Sequence, residues 1–189
     1  MSEDDRARWD EKYRGRAAPP AGAIGPPSVF LAHQDVFPRT GYALDLACGQ
    51  GTGAVWLARR GLQVYGVDVS AIAVEQAREL AARSGVGDRC RFDTADLDDG
   101  LPAGPPADVV YCARFRDARL DAAMVERLAP GGLLAVTALS QVGSGGGRFR
   151  AAPGELRAAF AGLEVIAGGE GRGLAWLLAR RRIGAVSVS

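Results

Sequence analysis

The chain has 189 residues, of which 48% are hydrophobic and 24% are charged, as in an ordinary globular domain. Its formal net charge of +1 gives no electrostatic reason to bind long nucleic acid or an anionic membrane surface. The longest apolar runs, such as Leu133–Val136, are far too short to span a bilayer. We therefore expect one domain over residues 1–189, without a nucleic-acid or membrane partner, as a monomer or weak homodimer.

The cysteines Cys48, Cys90 and Cys112 are odd in number and far apart in the chain. No pair has the short spacing of a zinc site, and a chain of this length needs no disulfide framework. The first residues are charged and lack the apolar stretch of a secretory signal. These features predict a cytoplasmic protein with reduced thiols and no metal site.

The N-terminal part of the chain predicts helices. Arg6–Arg14 favours a short polar helix that places Trp9 and Tyr13 on one face, four residues apart. A stretch rich in proline, glycine and alanine then breaks regular structure. Ser28 is expected to cap a second helix, which Pro38 ends.

From Tyr42 onward, apolar strand patterns alternate with helical ones, and a glycine-rich loop is expected at Gly143–Gly147. Strands separated by helices of about 10–15 residues predict a doubly wound, mostly parallel sheet with helices on both faces. The last two predicted strands are joined by a short glycine-rich turn, which favours an antiparallel hairpin. The predicted strands are Ala43–Ala47, Gln63–Val67, Cys90–Asp93, Asp108–Cys112, Leu133–Ala138, Leu163–Ala167 and Leu174–Ala179.

A glycine-rich turn follows the first predicted strand, where Gly49, Gly51 and Gly53 alternate with other residues. Glycine at a strand-to-helix turn permits positive φ and lets a ligand approach the backbone closely. In a doubly wound sheet, this turn borders the crevice in which ligands bind. The glycine spacing alone is a weak signal, because nucleotide, flavin and purely structural turns share it.

Carboxylates end the first three predicted strands. Asp45 precedes the glycine turn, Asp68 follows the second strand, where it is suited to a ribose diol, and Asp96 follows the third. No Gly-Lys-Ser/Thr follows the glycines, which excludes a phosphate-binding P-loop. A cationic nucleoside without phosphates fits this arrangement better than a pyrophosphate does. A nicotinamide-dependent oxidoreductase and a non-catalytic nucleoside-binding module on the same fold stay open as alternatives.

Several segments, in this order, resemble the successive motifs of class I S-adenosylmethionine-dependent methyltransferases: Leu44–Gly53, Gly66–Ser70, Ala95–Leu97, Ala107–Cys112 and Leu128–Leu133. The resemblance implies a Rossmann-like α/β fold, with a seven-stranded sheet and an antiparallel C-terminal strand. It also implies a helical lid or substrate segment at residues 1–40, a cofactor-binding core at 41–140 and a C-terminal helix and hairpin at 141–189.

The cofactor implied by this resemblance is S-adenosylmethionine, with S-adenosylhomocysteine as its product. Gly49 and Gly51 would lie against its methionine and ribose portions, and Asp68 would hold the ribose hydroxyls. Val69 would pack on adenine, Asp96 and the Leu97 amide would meet its amino group, and Cys112 and Ala113 would border the methyl group. The full set of expected cofactor-binding residues is Trp9, Tyr13, Asp45, Ala47, Gly49, Gly51, Asp68, Val69, Asp96, Leu97, Cys112 and Ala113.

The segments Trp9–Tyr13 and Cys112–Arg116 are similar to the tellurite-resistance and thiopurine-type branch, which acts on small molecules. The resemblance implies that an N-terminal aromatic helix closes over the cofactor. It also implies a small-molecule methyl acceptor, such as a thiol, a selenium or tellurium species, or a xenobiotic. No catalytic residue is assigned. His33 is expected to be a surface or helix-end residue, and Arg114 and Arg116 are candidates for binding an anionic substrate or the cofactor carboxylate.

Overall fold

The computed structural model describes residues 3–20, 24–143 and 150–184. Within these ranges, no helix is both long enough and apolar enough to cross a membrane. The predicted glycine-rich loop falls outside the described residues from position 144 onward.

The described strands are β1 (Tyr42–Leu46), β2 (Gln63–Asp68), β3 (Cys90–Thr94), β4 (Ala107–Ala113), β5 (Leu128–Ser140), β6 (Arg150–Ala151), β7 (Glu164–Gly171) and β8 (Leu174–Arg180). They form one sheet in the order β3-β2-β1-β4-β5-β8-β7, with β6 beside β5. Strands β1 to β6 pair in parallel, whereas β8 pairs antiparallel with both β5 and β7. This arrangement confirms the predicted fold class and the antiparallel hairpin.

Two details of the sheet differ from the sequence prediction. Strand β6 is an eighth strand of only two residues, too short to produce an alternating pattern in the sequence. Strand β5 begins at Leu128, before the Pro-Gly-Gly segment that was expected to precede it. Neither difference changes the order of the parallel strands, so the carboxyl ends of β1, β2, β4 and β5 still meet at one edge.

Helices cover both faces of this sheet. The α-helices are α1 (Glu3–Arg14), α2 (Thr52–Arg59), α3 (Ala71–Arg83), α4 (Asp121–Arg127) and α5 (Glu155–Ala159). One buried apolar cluster joins α2 and α3 to the sheet, and a second joins α4 and α5 to its other face. Because both faces are covered, the central strands are continuously apolar, as in other buried parallel sheets.

The second predicted helix is a 3-10 helix, Ser28–Val36, interrupted by non-helical backbone at His33. Ser28 does not cap it: Pro27 occupies the N-cap position, and no side chain accepts a capping hydrogen bond. The segment is instead held by packing, because Phe30 is fully buried in the cluster formed with α2 and α3. Hydrophobic burial therefore replaces the expected cap.

Candidate functional site

A cavity of about 890 Å³ lies at the carboxyl ends of the parallel strands. Its volume is in the range typical of small-molecule and cofactor sites. Nine of the residues predicted from the sequence line it: Trp9, Tyr13, Asp45, Ala47, Gly49, Asp68, Val69, Leu97 and Ala113. The structure thus brings most of the predicted site together on one surface.

The turn between β1 and α2 has a left-handed backbone at Ala47, with φ of 51°, and at Gly49, with φ of 53°. This conformation costs a residue other than glycine about 1–2 kcal/mol. A Cβ atom at Gly49 would lie 2.8 Å from the Tyr13 hydroxyl oxygen, so a side chain there would collide with the tyrosine. The bare backbone at Gly49 is therefore needed both for the turn and for the close approach of Tyr13.

Asp68 at the end of β2 organises the glycine turn. Its two carboxylate oxygens accept hydrogen bonds from the backbone N–H groups of Gly49 and Ser70, each at 2.9 Å. Burial raises the pKa of Asp68, and the two amide donors act in the opposite direction. Because a carboxylate has about four acceptor positions, it retains capacity for ligand hydroxyls.

Asp45 is 1% exposed and lies beneath the same turn. It accepts a hydrogen bond from the Ala54 amide in the first turn of α2. Its Oδ2 atom is buried without a hydrogen-bond partner among the described residues. Burial, followed by the nearby charge of Asp68, raises the pKa of Asp45 well above its ordinary value. The site therefore has an acidic floor with an acceptor that a ligand cation or donor would satisfy.

The structure places three predicted residues outside the cavity lining. Gly51 faces α3, where a Cβ atom would lie 2.8 Å from the Cβ atom of Ala77, so this glycine serves helix packing. Asp96 accepts a hydrogen bond from the Asp98 amide and lies 4.0 Å from the Arg6 guanidinium. Its carboxylate therefore already interacts with its own turn and with α1.

Cys112, the third of these residues, is buried in the apolar cluster with α4 and α5, and its thiol donates to the Phe115 carbonyl. Its neighbours Tyr111 and Ala113 line the cavity. Successive side chains of a strand point to opposite faces, which explains why Cys112 does not lie beside them.

Helix α1 packs against α3 over the cavity. Asp10 accepts a hydrogen bond from the Ser70 hydroxyl, and the Gln76 side-chain amide donates to the Tyr13 carbonyl at 3.1 Å. The rings of Trp9 and Tyr13 stack with centroids 6.0 Å apart. Burial and the nearby charge of Asp68 raise the pKa of Tyr13, so its hydroxyl stays protonated. The aromatic face of α1 thus covers the glycine turn.

Several cavity residues escaped the sequence analysis, chiefly Lys12, Arg16, Tyr111, Phe115 and Thr137. Thr137 could have been predicted, because it is a polar residue near the carboxyl end of β5 and the ends of parallel strands meet at one edge. Lys12 of α1 and Arg16 just after it could not, since their positions depend on how the helix docks.

Two residues considered in the sequence analysis have other partners. Arg116 is buried and forms salt bridges with Asp121 and Glu155. His33 packs near Trp176, with ring centroids 6.2 Å apart, and does not line the cavity. Arg114, by contrast, does line it.

The glycine turn, the acidic strand ends and most of the parallel sheet lie between residues 43 and 132. Residues 43–132 match the methyltransferase domain family. This match and the fold agree with the predicted enzyme class, an S-adenosylmethionine-dependent methyltransferase, and with that cofactor. They do not favour the nicotinamide-dependent oxidoreductase.

Curated proteins similar to this methyltransferase domain act on different kinds of substrate. The chain is 29% identical over 105 residues to 2-heptyl-1-hydroxyquinolin-4(1H)-one methyltransferase of Mycobacteroides abscessus, covering 52% of this chain and 46% of that protein. It is 51% identical over 51 residues to ribosomal RNA small subunit methyltransferase C of Alcanivorax borkumensis, covering 27% and 16% respectively. The chain thus spans less than half the length of these relatives.

A solved structure extends the likeness beyond the methyltransferase domain itself. It comes from work on the conversion of a disulfide bond into a thioacetal group during echinomycin biosynthesis, and it superimposes with a TM-score of 0.68 at 23% identity. The alignment covers 97% of this chain and 95% of that one. At this identity, the likeness is one of fold.

The residues of the methyltransferase domain fit S-adenosylmethionine. The unpartnered Oδ2 atom of Asp45 suits a cationic ligand, and Asp68 has acceptor capacity for a diol. The Ala54 amide at the start of α2 is already bonded to Asp45, so a pyrophosphate there would meet a carboxylate. The floor of the cavity therefore favours a cationic nucleoside over a dinucleotide.

Proposed function

We propose that this chain transfers a methyl group from S-adenosylmethionine to a small molecule, with α1 as the lid of the site. The observation that carries the proposal is the acidic floor under the glycine turn, where the buried Oδ2 atom of Asp45 lacks a partner among the described residues. A buried acceptor without a donor costs about 1–3 kcal/mol, which a cationic ligand would offset.

In this proposal, the floor holds the cofactor. Asp68 accepts from the ribose hydroxyls, Val69 packs on the base, and Asp45 faces the cationic portion. When bound, S-adenosylmethionine supplies a methyl group to which the acceptor's lone pair forms a bond as the carbon–sulfur bond breaks and its electrons return to sulfur. Tyr13 and Trp9 exclude water from above, which strengthens the electrostatic interactions inside the cavity.

The lining favours an acceptor that needs no protein base. No described residue of the cavity lining is a histidine, and burial raises the pKa of both Tyr13 and Tyr111, which keeps these phenols protonated. The lining carboxylates Asp45 and Asp68 hold the cofactor in this proposal. Soft nucleophiles such as thiolates, or selenium and tellurium anions, attack without prior deprotonation by the protein. A methyl acceptor of the kind expected for the tellurite-resistance and thiopurine-like branch fits these requirements, and so does a xenobiotic thiol.

A small acceptor also agrees with the shape of the site and with one relative. Helix α1 lies over the cavity, and Pro26 and Pro27 line it as well. The relative that shares 105 aligned residues is named for a heptyl-hydroxyquinolone, a small aromatic molecule. The match to a ribosomal RNA methyltransferase covers only 51 residues, 16% of that protein.

Calorimetry with S-adenosylhomocysteine and S-adenosylmethionine tests the cofactor half of the proposal. We expect micromolar affinity, equivalent to about 8 kcal/mol of binding free energy at 1 µM, and a matching thermal shift. Methyl transfer from labelled cofactor to a panel of aromatic thiols tests the acceptor half. Absence of heat and of any thermal shift with both cofactor forms would contradict the proposal, as would tight binding of reduced nicotinamide dinucleotide instead.

A further inference from the structure

Three cationic side chains line the cavity above its acidic floor. Lys12 and Arg16 come from α1 and the residues just after it, and Arg114 follows β4. Within the described parts of the chain, none of the three forms a salt bridge with a carboxylate. Lys12 instead lies 4.0 Å from the Trp9 ring centroid, and Arg16 lies 5.3 Å from that of Tyr13.

The cations are close enough to repel one another. The pKa of Lys12 is lowered by burial and then by the positive charges of Arg16, Arg8 and Arg114. Like charges held together without a carboxylate between them attract an anion from solution, and a surrounding cavity wall strengthens that attraction. This part of the cavity therefore has the electrostatics of an anion site.

Arg114 is fixed in place at its backbone. Its φ of 62° is in the left-handed region, which residues other than glycine rarely adopt. Its N–H group donates to Thr137 on β5, to the carbonyl oxygen at 2.8 Å and to the hydroxyl oxygen at 3.0 Å. The strained conformation places Arg114 and Phe115 at the cavity, whereas Arg116 turns back into a buried salt bridge.

The cavity that Arg114 lines also has apolar side chains. Phe115, Leu139, Leu174 and Pro27 are among them. A ligand that satisfies both features has an apolar body for these side chains and an anionic group for the cations.

We propose that Arg114 and Lys12 bind an anionic substituent, a carboxylate or similar oxyanion, on the methyl acceptor. The acceptor's apolar or aromatic body lies against Phe115 and the neighbouring leucines, and the anionic group is distinct from the atom that is methylated. This inference rests on the proposed function. The carboxylate of the cofactor is the other source of the same chemistry, and Arg16 is the better placed cation for it, because it lies on Tyr13, whose hydroxyl contacts Gly49.

The test compares two probes that differ only in charge, 4-mercaptobenzoate and 4-mercaptobenzamide, by calorimetry on the protein with and without saturating S-adenosylhomocysteine. The wild-type protein is expected to bind the benzoate about tenfold more tightly than the amide, as charge-assisted contacts allow. This preference should shrink as salt is added, because the cations are exposed at the cavity rim. Equal affinity for the two probes overturns the proposal.

Arg114→Asn is the deciding variant, because asparagine tolerates positive φ and removes the guanidinium group. It should reduce the preference for the benzoate to less than about threefold and leave the affinity for S-adenosylhomocysteine unchanged. Arg172→Asn is the matched control: Arg172 also has a positive φ, of 52°, but it lies in the turn between β7 and β8 and does not line the cavity. It should leave both affinities unchanged.

Lys12→Met is a second test that does not involve the strained backbone of Arg114, and methionine keeps an apolar stem over Trp9. This variant should also lower the preference for the benzoate over the amide. A different outcome is that Arg114→Asn weakens S-adenosylhomocysteine binding by the same factor by which it reduces the preference for the benzoate. In that case Arg114 binds the carboxylate of the cofactor, and the assignment to the acceptor is wrong. If the wild-type protein binds the benzoate selectively but not the nucleoside, the anion site stands and the proposed function fails.

Discussion

The cavity has two regions, which are built in different ways. Its floor, formed by Asp45, Asp68 and the glycine turn, is almost fully buried, with the two carboxylates 1% and 5% exposed. Its rim, formed by Lys12, Arg16 and Arg114, is exposed. The floor is held by hydrogen bonds from the Gly49 and Ser70 backbone amides to the Asp68 carboxylate, whereas two of the rim residues depend on how α1 docks.

Because of this difference, substitutions in the floor and in the rim should have different effects on stability. A substitution in the floor leaves buried donors or acceptors without partners, so it affects both stability and binding. A substitution at an exposed rim position has little effect on stability but alters the charge that a ligand meets. We infer that the floor determines the cofactor and that the rim residues Lys12 and Arg114 determine the acceptor.

Asp68→Ala should give the largest effect, because it acts on the floor. The Gly49 and Ser70 amides would both lose their acceptor, which lowers the free energy of unfolding by about 2–4 kcal/mol. Affinity for S-adenosylhomocysteine should fall at least about tenfold, since the ribose acceptor and the turn geometry are both lost. Urea denaturation and calorimetry measure the two effects.

Asp88→Ala, which removes an exposed carboxylate after α3, is the control for that variant. It should change stability by no more than about 0.5 kcal/mol, as surface substitutions usually do. An unchanged affinity for S-adenosylhomocysteine in Asp68→Ala would remove Asp68 from the cofactor site. An unchanged stability would show that the two amides find other partners.

Asp45→Asn should change stability and cofactor binding in opposite directions. The pKa of Asp45 is raised in the folded protein by burial and by Asp68, so ionisation of Asp45 costs stability as pH rises above its unfolded value of about 3.9. Asparagine keeps the acceptor for the Ala54 amide and removes the charge. At pH 8 the variant should be more stable than wild type by on the order of 1 kcal/mol, while its affinity for the cationic cofactor falls.

The pH dependence distinguishes this explanation from a general packing effect. The stability advantage of Asp45→Asn should become small as pH falls toward about 4, where the carboxyl group is protonated in the folded protein and about half protonated in the unfolded chain. Denaturant titrations between pH 4 and 8 measure it. An advantage that is constant with pH would mean that Asp45 carries no charge penalty in the folded protein.

The floor could be predicted from the sequence because its residues follow local patterns. Asp45 and Asp68 stand at the ends of apolar strands, and parallel strand ends meet at one edge. Cys112 was placed with them by the family resemblance, and the sequence could not correct this, because a strand buried on both faces is continuously apolar, which hides the side on which each residue lies. The sequence pattern therefore located the strand end correctly but not which side chain of the pair faces the cavity.

The rim could not be predicted, because it depends on contacts between distant segments. Lys12 and Arg16 reach the cavity only because α1 docks on α3, and the Asp10–Ser70 hydrogen bond that holds it joins residues 60 positions apart. Arg114 was noted as a candidate for anion binding, but its positive φ depends on hydrogen bonds to Thr137, 23 residues further on. No local sequence pattern encodes either contact.

Asp10→Ala should give the smallest effect on binding, because it loosens the lid without changing the floor. Asp10 accepts from the Ser70 hydroxyl at the N-terminus of α3, where a negative charge is also favoured by the helix dipole. Its loss should cost about 0.5–1.5 kcal/mol of docking free energy. Affinity for S-adenosylhomocysteine should fall roughly threefold, since covering the ligand then costs more.

Undocking of α1 has a direct readout in limited proteolysis. Trypsin should cleave Asp10→Ala faster after Arg14 and Arg16, and saturating S-adenosylhomocysteine should restore protection if α1 closes over it. Glu11→Ala is the matched control, since Glu11 is exposed on the same helix and pairs with Arg14 rather than with α3 among the described residues. Equal cleavage rates in the two variants would show that the Asp10–Ser70 bond does not hold the lid, and a lack of protection by the nucleoside would separate α1 from the cofactor altogether.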